Sequence, residues 1–239
     1  MALKSINIDN KQFDISYEII NPQKENTIVF LHGWGANKEI MEQAFSDYLK
    51  DYKHVYIDMP GFGKSTNSYI LTTKDYSKIV NNFLKISNID PLAIVGHSFG
   101  GKVATLLNPK NLILLSTAGI LEKKSFLVKV KILFAKIFNK LGLKNITKIF
   151  RSKDVDKMSE NMYSTFKNVV DEDFMENFKS YKNNCMIFWG EEDRATSLDS
   201  GKKINTLIKN SSFVSYKSDH FFFLKFAQDI CTKIENGIK

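Results

Sequence analysis

The chain has little that would hold it together from outside a core. Its 239 residues include two cysteines and four prolines. No disulfide framework is available, and neither Cys185 nor Cys231 has companions at metal-ligand spacing. No metal or organic cofactor is expected. No run approaches the roughly 18 consecutive apolar residues of a bilayer-spanning helix. The opening MALKSINIDN has neither a basic segment followed by an apolar one nor a cleavage site, so a cytoplasmic location is expected. Acidic residues are outnumbered too, giving a net charge of +8. That excess is local. Residues 118–153 carry ten bases against one acid, Glu122, or +9, which leaves the remainder about neutral. A chain that is neutral outside one segment does not resemble a nucleic-acid binder, and none is expected as a partner.

What is present is a chain 43% hydrophobic and 13% aromatic, on a length that suits one sizeable core. Short β-rich apolar runs alternate with stretches of helical period, the pattern of a mostly parallel sheet with crossover helices. KSINID and DISYEII (14–20) read as an opening antiparallel pair. TIVFLHG (27–33), HVYIDMPG (54–61), LAIVGHS (92–98) and LILLS (112–116) read as central strands. Helices are predicted at 37–50 with Asn37 as N-cap, at 72–87 begun by Thr72 or Thr73, and from Phe99 to about Leu107. Residues 120–180 hold no convincing strand, and the sheet resumes with CMIFWG (185–190) and SFVSYK (212–217). The interval reads as a helical cap of about 60 residues.

VGHSFGG (95–101) follows a predicted strand and opens a predicted helix. A G-x-S-x-G turn in that context is a nucleophile elbow: small residues at Gly96 and Gly100 let the chain reverse tightly, and Ser98 points away from the sheet. A serine hydroxyl needs a base, and the base needs an orienting acid. In this architecture the acid follows the serine and the histidine comes last, each just beyond a strand. WGEED offers Asp193, in competition with Glu191 and Glu192, and SYKSDH offers His220. His32, His54 and His97 each have a structural reading, and Asp219 is adjacent to His220, so its side chain diverges from that ring. STAG after the earlier strand supplies no acid.

Acyl transfer also needs N–H donors for the oxyanion. In HGWG, Gly33 and Gly35 free the backbone so that the amide of Trp34 can face the serine, and the amide of Phe99 is the second donor. GFGKS invites a phosphate-loop reading, but that motif requires glycine where Asp58 stands.

LHGWGAN, YIDMPGFGKS, VGHSFGG, WGEEDRATSLDSG and SDH, in this order, resemble the α/β-hydrolase superfamily. The resemblance implies an α/β-hydrolase fold: a mostly parallel eight-stranded sheet, flanking helices and a helical cap inserted after the sixth strand, about 118–182, within one domain over 1–239. It implies a serine hydrolase that cleaves a small-molecule carboxylic ester with Ser98, His220 and Asp193. HGWGAN and DMPGFGKS are similar to methyl esterases that act on pimeloyl-carrier protein, and GEEDRATSLDSG to meta-cleavage-product hydrolases that cut C–C bonds, so both alternatives stand. The substrate pocket is expected between the sheet and the cap, lined by Gly33, Trp34, Phe99 and the cap residues Phe126, Leu133 and Phe134. Apolar residues at three- and four-residue steps from Phe126 to Leu141, with lysines between them, read as an amphipathic basic helix. Its lysines could attract an acidic carrier protein or an anionic membrane surface, or simply solvate the cap's outer face.

Overall fold

The computed structural model describes residues 2–121 and 158–238. Eight strands form one sheet: β1 (Ala2–Ile8), β2 (Lys11–Ile20), β3 (Thr27–Leu31), β4 (Lys53–Ile57), β5 (Pro91–His97), β6 (Asn111–Leu115), β7 (Asn184–Gly190) and β8 (Ser211–Tyr216). Their spatial order is β1-β2-β4-β3-β5-β6-β7-β8. The first two pairings, β1 with β2 and β2 with β4, are antiparallel, and from β4 onward all neighbours are parallel. The strand order reverses around β3, and β5 lies at the middle of the parallel part, with its C-terminal end in the crevice where α/β sheets bind ligands.

Seven described helices accompany the sheet: α1 (Lys38–Phe45), α2 (Thr73–Ile86), α3 (Phe99–Leu107), α4 (Glu160–Val169), α5 (Met175–Ser180), α6 (Leu198–Leu207) and α7 (Phe223–Gly237). Successive strand side chains point to opposite faces, and the parallel strands are apolar on both. Val29, Leu31, Ile94, Leu112, Leu114 and Ile187 face the core shared with α2 and α3. Ile28, Phe30, Val95, Ile113 and Phe188 face the core shared with α1 and α7. Each such side chain, fully removed from water, contributes roughly 1.5–3 kcal/mol relative to an exposed one. Among the described residues no helix is long and apolar enough to cross a membrane.

Two helix starts differ in chemistry. Thr72 caps α2 with a reciprocal box: its hydroxyl accepts from the Asp75 amide, and the Asp75 carboxylate accepts from the Thr72 amide. Asn37 does flank α1, but its side chain makes no capping bond. Asp58, from the loop after β4, accepts the Lys38 amide at 2.7 Å and the Lys38 ammonium at 2.8 Å instead. A charge-assisted cap from outside the helix replaces the local one. Helix α1 also stops at Phe45, short of the predicted 50, because a turn closes at Ser46 and the chain enters the left-handed region at Leu49 (φ 51°).

Between β6 and β7 the described part of the insertion consists of α4 and α5. The basic stretch that contains Phe126, Leu133 and Phe134 lies outside the described residues. Helix α3 ends where expected, at Leu107, followed by a left-handed Asn108. Beside that end a cleft of about 630 Å³ opens, lined in part by Leu84, Ile94 and Leu107. Because it borders Thr27 and Pro91, the first residues of β3 and β5, it sits at the end of the sheet away from Ser98.

Candidate active site

Ser98 stands between β5 and α3 with φ 51° and ψ −115°, a conformation that costs a non-glycine residue about 1–3 kcal/mol. The turn is held from outside: the Ser98 amide donates to Leu115 O at 3.0 Å, and Ser98 O accepts from the Gly101 and Ala118 amides, both at 3.1 Å. Glycine is required on either side. A Cβ on Gly96 would lie 2.5 Å from Gly100 O, and one on Gly100 would lie 2.5 Å from Leu31 O. Only without those carbons can α3 start directly over the end of β3. The Phe99 amide, first in α3, has no intrahelical acceptor.

The loops after β7 and β8 are joined through the main chain: Glu191 N donates to Tyr216 O at 2.8 Å and Glu192 N to Ser218 O at 2.9 Å. That pairing sets Asp193 opposite His220, and Nδ1–H of His220 donates to Asp193 Oδ2 at 2.6 Å. The Asp193 side chain is fully buried, with Oδ1 accepting from the Ala195 and Thr196 amides at 2.7 and 2.9 Å. Burial alone would raise its pKa, but the bonds from His220 and Thr196, the neighbouring His220 charge and the Ser116 hydroxyl outweigh it and hold the carboxyl at about 2. A ring that gives Nδ1–H to this carboxylate keeps Nε2 as the free base in its neutral form. Glu191 and Glu192 are exposed. Asp219 turns back to its own chain, accepting from the Phe221 amide at 2.9 Å.

The other histidines have structural partners. His32 donates Nδ1–H to Gly33 O at 2.7 Å and accepts the Met59 amide on Nε2 at 3.0 Å, tying the HGWG loop to the loop after β4. Complete burial brings its pKa down to about 4, so it stays neutral. His54 bonds Tyr56 Oη and Leu49 O.

Trp34 is half-buried at the centre of an aromatic group, with ring centroids 4.8 Å from Phe62, 5.4 Å from Phe99 and 5.4 Å from Phe166 of α4. Gly33 lies against the elbow, where a Cβ would come within 3.1 Å of Ser98 Cβ. Ser98, Gly33, Trp34 and Phe99 therefore converge at the C-terminal end of β5. The His220 ring lies 4.6 Å from that of His97, the residue before Ser98. Of the predicted pocket residues, Phe126, Leu133 and Phe134 lie outside the described residues.

Three contributors escaped the sequence reading. Ser116 and Thr196 support Asp193, and Ser116 stands in the STAG segment, which itself supplies no acid. Lys102, on the helix that follows Ser98, is buried. It donates to Val169 O at 2.6 Å and pairs with Glu172 at 2.8 Å, while Glu172 also accepts from the Thr73 hydroxyl. Burial lowers the Lys102 pKa, and the carboxylate of Glu172 opposes that shift. The only signal was a lysine inside the apolar run FGGKVATLL, at a position facing neighbouring elements.

Residues 26–167 match a family described as alpha/beta hydrolase fold. An uncharacterised hydrolase of Bacillus subtilis, YugF, is 23% identical over 84% of this chain and 85% of its own length. The pimeloyl-[acyl-carrier protein] methyl ester esterase of Proteus mirabilis is 31% identical, but over 35% of this chain and 32% of its own. An esterase from Exiguobacterium antarcticum superposes with a TM-score of 0.74 at 19% identity, covering 95% of this chain and 96% of that one, which is a likeness of fold.

Proposed function

The chain belongs to the α/β-hydrolase fold family and is a hydrolase, and we propose that within that family it cleaves carboxylic esters through an acyl-enzyme on Ser98. The observation that carries the reading is the 2.6 Å bond from His220 to a fully buried Asp193, beside an elbow that holds Ser98 in a strained conformation. His220 Nε2 takes the hydroxyl proton as Ser98 Oγ attacks the ester carbonyl. Asp193 keeps the ring in the Nδ1–H tautomer and stabilises the imidazolium. The amides of Trp34 and Phe99 donate to the oxyanion, each worth about 3–4 kcal/mol at such a position. Collapse expels the alcohol, which takes the proton from His220. Water then enters, gives its proton to His220, and releases the acid and free Ser98.

Ser98→Ala tests this reading. It should abolish fluorophosphonate labelling and reduce turnover of p-nitrophenyl esters by a factor on the order of 10⁶, leaving only the catalysis that comes from binding and the oxyanion donors. Near-normal turnover by a folded Ser98→Ala protein would show that the nucleophile is elsewhere. A second reading, an ester whose acyl chain is attached to an acidic carrier protein, is supported by the +9 segment and by the partial similarity to the carrier-protein esterase. Turnover of acyl methyl esters free and carrier-bound distinguishes the two.

A further inference from the structure

His97 is the residue of the elbow that the mechanism does not use. It ends β5, is 1% exposed, and its ring meets the loops after β3 and β8 and the first residue of α7. Nε2 lies 3.1 Å from His220 O. A carbonyl only accepts, so Nε2 carries the proton and donates it. The His220 ring is 4.6 Å away, and the rings of Phe221 and Phe223 are 5.3 and 4.8 Å away. On the opposite edge, His97 Nδ1 would be 2.9 Å from a Cβ on Gly33, so it fills the space that makes glycine necessary there. Nδ1 itself is buried and has no hydrogen-bond partner among the described residues. The ring is therefore neutral, as its burial dictates, its pKa lying well below the ordinary histidine value.

We propose that His97 is a positioning residue, whose Nε2–H bond to the main chain of His220 and contact with Gly33 give base, nucleophile and oxyanion loop a common reference beside Ser98. The inference rests on the reading of Ser98 and His220 given above. The need for such a device follows from the topology. His220 sits in a loop after β8, three strands from β5 in the sheet. The Asp193 bond fixes the tautomer of its ring, but Asp193 is itself on a loop. A donor from the rigid end of β5 to the His220 carbonyl fixes where the ring stands relative to Ser98. Near-attack geometry is sensitive to displacements of about 1 Å, which can cost on the order of 100-fold in rate.

The test compares His97→Phe, which keeps a ring of similar size but no donor, with His97→Gln, whose amide can place an N–H where Nε2–H was. With p-nitrophenyl acetate, His97→Phe should lose between about 10- and 100-fold in kcat with little change in KM, and His97→Gln should recover most of that loss. In a His220→Ala background the same substitution should leave the residual rate unchanged, because no base remains to be positioned. Full kcat in folded His97→Phe overturns the proposal, as does an equal loss in His97→Gln, or an undiminished effect without His220. Should His97→Phe not fold, the ¹⁵N spectrum of histidine-labelled wild type decides. A neutral, Nε2-protonated His97 whose proton exchanges slowly supports the bond, and an Nδ1-protonated or fast-exchanging ring overturns it. Failure of the catalytic reading is separate: there, Ser98→Ala and His220→Ala themselves retain turnover.

Discussion

Asp193→Asn perturbs rate and stability together, and the two effects have different pH signatures. Asn keeps the shape but presents an amide where His220 needs an acceptor, which favours the wrong tautomer, and kcat should fall by about 10⁴-fold at neutral pH. The stability effect follows from the folded-state pKa of about 2 against an ordinary 3.8. For a side chain that is fully buried, that depression corresponds to about 2 kcal/mol. Because the folded pKa is depressed, this contribution is complete above the unfolded value and lost as pH falls through the folded one. Wild type should therefore exceed Asp193→Asn by about 2 kcal/mol in urea unfolding at pH 7, with about half of that gap gone by pH 3. Glu191→Gln and Glu192→Gln, at exposed positions of the same loop, should leave both rate and stability near wild type. Equal and small rate losses in all three variants would mean that the orienting acid lies elsewhere. A stability gap independent of pH would mean that the carboxylate's charge is not what the fold uses.

Lys102→Met should cost about 3 kcal/mol in urea unfolding, the lower end for breaking a buried pair, since Glu172 keeps some contact with water; a loss below about 1 kcal/mol would mean that the ion pair does not tie the insertion to α3. Charge reversal at Lys124, Lys131 and Lys136 should leave turnover of a small neutral ester unchanged, and, if the basic segment attracts a carrier protein or anionic lipid, weaken binding to acyl carrier protein or anionic vesicles, with the difference shrinking at high salt. If wild type binds neither at low salt, the lysines serve only to solvate that segment.

The alternation of apolar runs and helical periods is a local property, and it was enough to reveal the strands and the helices between them; the G-x-S-x-G turn marked the elbow. Strand side chains must alternate, helices must cover both faces, and Gly96 and Gly100 mark a turn too tight for a Cβ; each of these is written within a few consecutive residues. Asp193 and His220 could be singled out for the same reason, as polar residues just beyond strand ends. What remained hidden were pairings across distance. Nothing local says that Asp58 rather than Asn37 caps α1, that a lysine in an apolar run finds Glu172, or that Ser116 and Thr196 hold the carboxylate. Nor does GHS show that the ring before the serine reaches the carbonyl of His220. A buried polar group must find a partner, and the sequence can say that one is owed. Which partner meets it depends on how separate loops come together at one edge of the sheet, and tertiary structure alone decides that.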